Sequence, residues 1–207
     1  MNMYKNRTLA ILVFDDVELL DFCGPFEVFS VANRFTESPA FQVVTIAEKR
    51  PVDTHGGLSV NPNHGLDDCP RPDLLLLPGG QGTRREMYNT GLIDWITLAS
   101  AKADLVLSVC TGALLLARAG LLDGLEATTH HGSFDLLRQV APKTKVLEDR
   151  RFVDNGRVIC SAGISAGIDM SLHVVGSLLG RDVAMKTAKQ MEYPWEAGVP
   201  RRDNSVE

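Results

Sequence analysis

The chain lacks most of the features that assign a function at sight. Four cysteines, Cys23, Cys69, Cys110 and Cys160, are scattered along 207 residues, and none forms a CxxC or Cys/His pair at zinc-ligand spacing. That argues against a structural metal and fits reduced thiols in a cytoplasmic protein. Basic residues cluster only as pairs, Lys49-Arg50, Arg84-Arg85, Arg150-Arg151 and Arg201-Arg202, and the net charge is −5. Both facts argue against a nucleic-acid surface, and each pair reads as solvated charge. No apolar stretch approaches the roughly 20 residues of a membrane span. The run Leu9 to Phe14 is too short for a signal core and reads as a strand. The P-loop pattern is missing, so no nucleotide phosphate is expected. With no linker, low-complexity segment or repeat, the expectation is one domain over 1–207, its core at about 7–193, with a short tail.

What is present is an ordinary globular composition, 44% apolar and 23% charged, with strand and helix signals in alternation. Strands are expected at Thr8 to Phe14, Phe41 to Ala47, Leu74 to Leu77, Leu105 to Val109 and, briefly, Ala127 to His130. Helices are expected at Asp21 to Asn33, with Pro25 in its first turn, and at Gly91 to Ala103, Gly112 to Ala119, Ser133 to Gln139, Gly163 to Leu179 and Arg181 to Glu192. Val52 to Val60 reads as an irregular hairpin. Asn155-Gly156 between two apolar runs is a strong hairpin signal. Four consecutive leucines suit a strand buried on both faces. Repeated strand–helix units predict an α/β fold, a flavodoxin-like parallel sheet between helices.

Cys110 is the residue with most chemical promise. It joins the apolar strand Leu105 to Val109 to an apolar helix through Cys110-Thr111-Gly112, the pattern of a nucleophile elbow with sulfur as nucleophile. A helix N-terminus behind it favours thiolate. The competing reading is a small buried hydrophobe. In such a sheet, ligands bind beyond the carboxyl ends of the strands. Gly79-Gly80 and the segment leading to Asp21 are expected there too. The glycine amides, with that of Thr111, are candidate donors to a developing negative charge. The alternative is a plain turn. Asp21, in Leu19-Leu20-Asp21-Phe22, is either a helix N-cap or a functional carboxylate. Glu18 and Glu27 read as solvated. His55, His64, His130, His131 and His173 read as structural, with His130 the nearest to an exception.

Several segments in order resemble the ThiJ/PfpI superfamily: Leu20 to Pro25, Leu77 to Gly80, Ser108 to Gly112, Ala127 to His130 and Ser161 to Asp169. Within it the chain is most similar to the isocyanide hydratases. The resemblance implies a fold of the class I glutamine amidotransferase type and a lyase without metal or organic cofactor. Its substrate would be a small molecule, an isocyanide converted to an N-substituted formamide. It also implies Cys110 as nucleophile, Asp21 as proton carrier, Thr111 beside them, and Gly79, Gly80 and Ile164 around the substrate. A homodimer is implied, with neither nucleic acid nor membrane as partner. The chain departs from the protease branch, where histidine follows the cysteine; here Thr111 does. Ala162 stands where hydratases tend toward glycine. Two alternatives remain: a non-catalytic ligand- or redox-sensing domain akin to regulator N-terminal domains, and a cysteine amidase or protease, which needs a histidine near Cys110.

Overall fold

The structure, a computed structural model, describes residues 5–196. In chain order its elements are β1 (Arg7–Leu12), α1 (Leu19–Ala32), β2 (Phe41–Ala47), β3 (Val52–Asp53), β4 (Ser59–Val60), β5 (His64–Gly65), β6 (Leu74–Leu77), α2 (Thr83–Glu86) and α3 (Thr90–Lys102). There follow β7 (Leu105–Ser108), α4 (Gly112–Arg118), β8 (Glu126–Ala127), α5 (Phe134–Val140), β9 (Lys145–Val146), β10 (Phe152–Asp154), β11 (Val158–Ser161), α6 (Ala166–Leu179) and α7 (Arg181–Gln190).

Seven strands form the central sheet in the order β5-β2-β1-β6-β7-β11-β10. All neighbours are parallel except the β10–β11 hairpin. The centre is apolar because both faces are covered: Leu74, Leu75, Leu76 and Leu77 are all fully buried. Each such side chain contributes roughly 1.5–3 kcal/mol relative to exposure. From β1 the chain crosses to β2 on one side, and from β6 through β7 to β11 on the other. Right-handed crossovers then put α1 and α3 on opposite faces of the sheet. The direction reverses between β1 and β6, which opens a crevice at their carboxyl ends.

Most expected elements are present, with informative shifts. Helix α1 begins at Leu19, so Asp21 lies inside its first turn and Glu18 occupies the N-cap position. The capping reading of Asp21 is therefore excluded. Pro25 falls in the second turn, where its missing N–H leaves the Asp21 carbonyl without its usual helical donor. The strand expected at Ala127 to His130 stops at Ala127, and β8 pairs with β9 in a separate two-stranded sheet. Ser133 precedes α5 without a side-chain cap bond. The long helix starts at Ala166, three residues later than expected. The expected last helix ends at Gln190, before Glu192. Short elements β5 and α2 carried no sequence signal strong enough to anticipate.

Candidate active site

Three turns meet at the crevice: Val13 to Glu18 after β1, Pro78 to Gly82 after β6, and Val109 to Thr111 after β7. Backbone contacts zip the first two together. Val17 bridges Gly80, and the Glu18 N–H donates to the Gly79 carbonyl at 3.0 Å. The third turn is anchored by the Val109 N–H, which donates to the Leu77 carbonyl at 3.0 Å. A Cβ at Gly112 would strike that same carbonyl, so the turn requires glycine there.

Cys110 adopts φ +57°, a left-handed conformation that L-residues take only under constraint. The surrounding hydrogen bonds supply the constraint. Its N–H is shared between the carbonyls of Ser161 (3.2 Å) and Ala162 (3.0 Å), and its own carbonyl accepts from Thr129 Oγ1 at 2.7 Å. The residue is only 6% exposed, yet it lines a cleft of about 210 Å3. It is covered but reachable.

Asp21 lies behind the thiol, fully buried. Its Oδ2 accepts from the Gly79 N–H at 3.0 Å, while Oδ1 is buried without a hydrogen-bond partner among the described residues. Burial pushes its carboxyl up to about 7 and the nearby Glu18 charge pushes the same way; the Gly79 N–H, the Cys110 thiol and the Ile164 N–H oppose them. The Cys110 thiol is pushed up to about 12, first by burial and then by the Asp21 charge, against the pull of the Thr111 and Ile164 N–H groups. The expectation of a resting thiolate is thus reversed. The helix-end donors are present, but desolvation and the neighbouring carboxylate outweigh them. The resting pair is a thiol beside a carboxyl group poised near neutrality.

Thr111 turns its hydroxyl away from the sulfur and toward the β6 turn. Oγ1 accepts from the Gly80 N–H at 3.0 Å and lies 3.0 Å from Thr83 Oγ1. Both glycine amides are therefore engaged, one by Asp21 and one by Thr111. Gly79 has no room for a side chain: a Cβ would lie 2.6 Å from Thr111 N and 2.7 Å from Asp21 Oδ2. Ile164 adopts φ +52°, a marked outlier for a β-branched residue, and is 39% exposed at the cleft wall. Flanking bonds hold it there: the Ala162 N–H donates to the Arg151 carbonyl at 2.7 Å, and Arg151 Nη2 reaches Ser165 Oγ at 3.3 Å.

All six residues singled out from the sequence thus gather at one crevice. Glu18, Arg84 and Ser133 line it too and were not anticipated. His55 and His130 also line it; the His130 Nδ1 accepts from the Gly132 N–H at 3.1 Å, and the ring stacks 4.2 Å from His131. Among the described residues no cluster of three or more metal-ligating side chains occurs, and no helix is long and apolar enough to cross a membrane.

The sequence matches the DJ-1/PfpI family over residues 7–177. The chain belongs to that family. Its relatives divide by function. It is 35% identical to an isonitrile hydratase of Pseudomonas putida, covering 93% of this chain and 82% of that one. It is 30% identical to the HTH-type transcriptional regulator CdhR of Pseudomonas aeruginosa, over 86% of this chain but only 53% of the regulator. A solved structure of a ThiJ/PfpI family protein from Pseudomonas syringae superposes with a TM-score of 0.84 at 26% identity, covering 99% of this chain and 80% of that one. Membership of the DJ-1/PfpI family agrees with the α/β fold described above. The split between enzyme and regulator leaves the activity to be argued from the site.

Proposed function

We propose that this DJ-1/PfpI protein is a cysteine-dependent lyase that hydrates a small isocyanide to an N-substituted formamide. The observation that carries the reading is the Cys110–Asp21 pair, a thiol raised by burial next to a carboxyl group near neutrality, at the floor of a small cleft. Such a pair exchanges a proton only when the sulfur forms a bond, which avoids a permanently charged sulfur in a dry site.

The steps balance. The sulfur attacks the terminal carbon of R–NC while its proton passes to the Asp21 carboxylate. The protonated Asp21 then delivers that proton to the same carbon, giving a thioimidate, R–N=CH–S–Cys110. Water adds to this carbon, Asp21 taking one proton as the imidate nitrogen gains another. The C–S bond breaks, the sulfur recovers a proton from Asp21, and R–NH–CHO leaves. The Thr111 and Ile164 N–H groups bear on the sulfur and favour its anionic character during attack and departure. With their amides engaged, Gly79 and Gly80 serve as positioning residues: one holds Asp21, the other Thr111. No metal or organic cofactor enters the scheme. The resemblance also carries a homodimer, which light scattering of the purified protein tests.

The decisive assay follows formamide formation from an alkyl isocyanide. Turnover by the wild type and none by Cys110→Ala is the expected result. Turnover that survives the substitution refutes the mechanism, and no turnover of any isocyanide rejects the substrate class. A second reading, a redox- or ligand-sensing domain, draws on the regulator relative. It predicts facile oxidation of Cys110 to sulfenic or sulfinic acid with no turnover.

A further inference from the structure

The cleft above Cys110 is electrically polar. Glu18 stands on the Asp21 side, where its charge raises the Asp21 carboxyl. Arg84, on α2, lines the same cleft, and its guanidinium reaches Ser133 Oγ at 3.3 Å. Among the described residues that is the guanidinium's single hydrogen bond, and no carboxylate of theirs lies within ion-pair distance of it. The contrast with its neighbour is informative. Arg85 is fully employed, paired with Glu86 and Asp16 and bonded to the Asp15 carbonyl at 2.9 Å. Arg151 is likewise paired with Asp169. A guanidinium presents five donors in a planar fork suited to carboxylate. The one at this cleft has most of them uncommitted, and it sits beside a thiol.

We propose that the substrate carries a carboxylate, which Arg84 binds at the Ser133 side of the cleft while Glu18 repels it from the Asp21 side. The inference rests on the hydratase reading for its electrophile, a short isocyanocarboxylate, but not for its charge. Orientation follows from the two charges. The anionic end is held at α2, and the electrophilic end is directed to the sulfur. Size agrees, since a cleft of about 210 Å3 has room for a compact substrate. A charge-assisted, bidentate contact of this kind supplies selectivity as well as affinity.

The test compares Cys110 alkylation by iodoacetate and by iodoacetamide, reagents alike in shape and differing in charge. In both, the sulfur displaces iodide and loses its proton. The ratio of the two rate constants cancels any change in thiol reactivity common to both. Arg84→Gln should lower the iodoacetate/iodoacetamide ratio about tenfold. Arg84→Lys should restore much of it, and Glu18→Gln should raise it. In the unaltered protein the ratio should fall as salt is added, because screening weakens an attraction. This last arm needs no variant to fold. A ratio unmoved by Arg84→Gln, or rising with salt, overturns the proposal. Parallel hydration assays with isocyanoacetate and its methyl ester separate the two ideas. If the neutral ester is hydrated while the ratio ignores Arg84, the carboxylate inference fails and the hydratase reading stands. If the ratio responds to Arg84 but no isocyanide is consumed, the reverse holds.

Discussion

Cys110 and Cys160 are both buried, both raised by desolvation, and close in the fold. Cys160, on β11, lies opposite Ser108 of β7, two residues before Cys110. Burial pushes the Cys160 thiol up to about 11 and the Cys110 thiol up to about 12. Titration alone therefore does not set the two apart, since burial raises both. What separates them is geometry. Cys160 has strand backbone and no exposure, whereas Cys110 has a positive φ, a cleft above it and a carboxyl group beside it. A nucleophile is distinguished here by an accessible proton acceptor and a reachable electrophile, not by a low resting pKa. The left-handed turn, costing about 1–2 kcal/mol, is the structural feature that separates the first sulfur from the sheet.

The largest effect that could break this contrast is labelling. Iodoacetamide at neutral pH should modify Cys110 and spare Cys160 in the folded protein, and mass spectrometry of the digest reads both sites. Equal modification would show that the cleft confers nothing. Next is Asp21→Asn. It removes the proton acceptor while keeping the shape that meets Gly79, and kcat should fall about 10²–10⁴-fold, the usual range for a lost general acid–base group. Stability should move the other way. The native carboxyl titrates at about 7, above the ordinary model value of 3.8. Below pH 3.8 both states are protonated and burial costs nothing. As pH rises from there to about 7, the unfolded state releases its proton first, and native stability falls. At pH 8 Asp21→Asn should therefore be the more stable protein, by up to about 4 kcal/mol. The difference should vanish near pH 3. Urea denaturation at the two pH values checks the sign. The same titration governs the wild-type rate: kcat/KM should climb as pH rises through about 7, with no separate thiol step below pH 9.

Parts of this comparison are visible in the bare sequence. The four leucines of β6 declare a doubly covered strand, and an apolar strand running into Cys110-Thr111-Gly112 declares the elbow. Asp21 stands out because a carboxylate among Leu19, Leu20 and Phe22 requires an explanation. Its choice between cap and function was not decidable locally. The start of α1 at Leu19 removes the cap, and the contact that gives the carboxylate a partner, the Gly79 N–H, spans 58 positions. The thiol's titration departs from the local expectation for a related reason. The helix N-terminus is a local feature, while desolvation is a property of the whole fold. Ile164 entered only through resemblance, since nothing in an isoleucine announces a positive φ. Glu18 and Arg84 look like any solvated charges until the turns after β1 and β6 close around the sulfur. Local chemistry was legible where one segment contains it, and hidden where three segments must meet.

The smallest effect is expected at Cys160, and it is the most searching of the set. Its side chain is fully buried beside the strand residues that support the elbow. Cys160→Ala removes one sulfur from a packed interior, a change worth about 1–2 kcal/mol of stability. Yet the bonds that hold the Cys110 N–H are to backbone, the carbonyls of Ser161 and Ala162, and the Ser161 hydroxyl adds a bond to the Ser108 carbonyl at 3.2 Å. An alanine at 160 leaves all of these in place. Turnover by the folded variant should stay within about twofold of wild type, while the urea midpoint drops. A larger loss of kcat, in protein shown to be folded, would mean that sheet packing beneath the elbow sets the sulfur's position more finely than its hydrogen bonds do. The line between a structural and a reactive thiol would then run through the packing of β7 against β11 and not through the cleft.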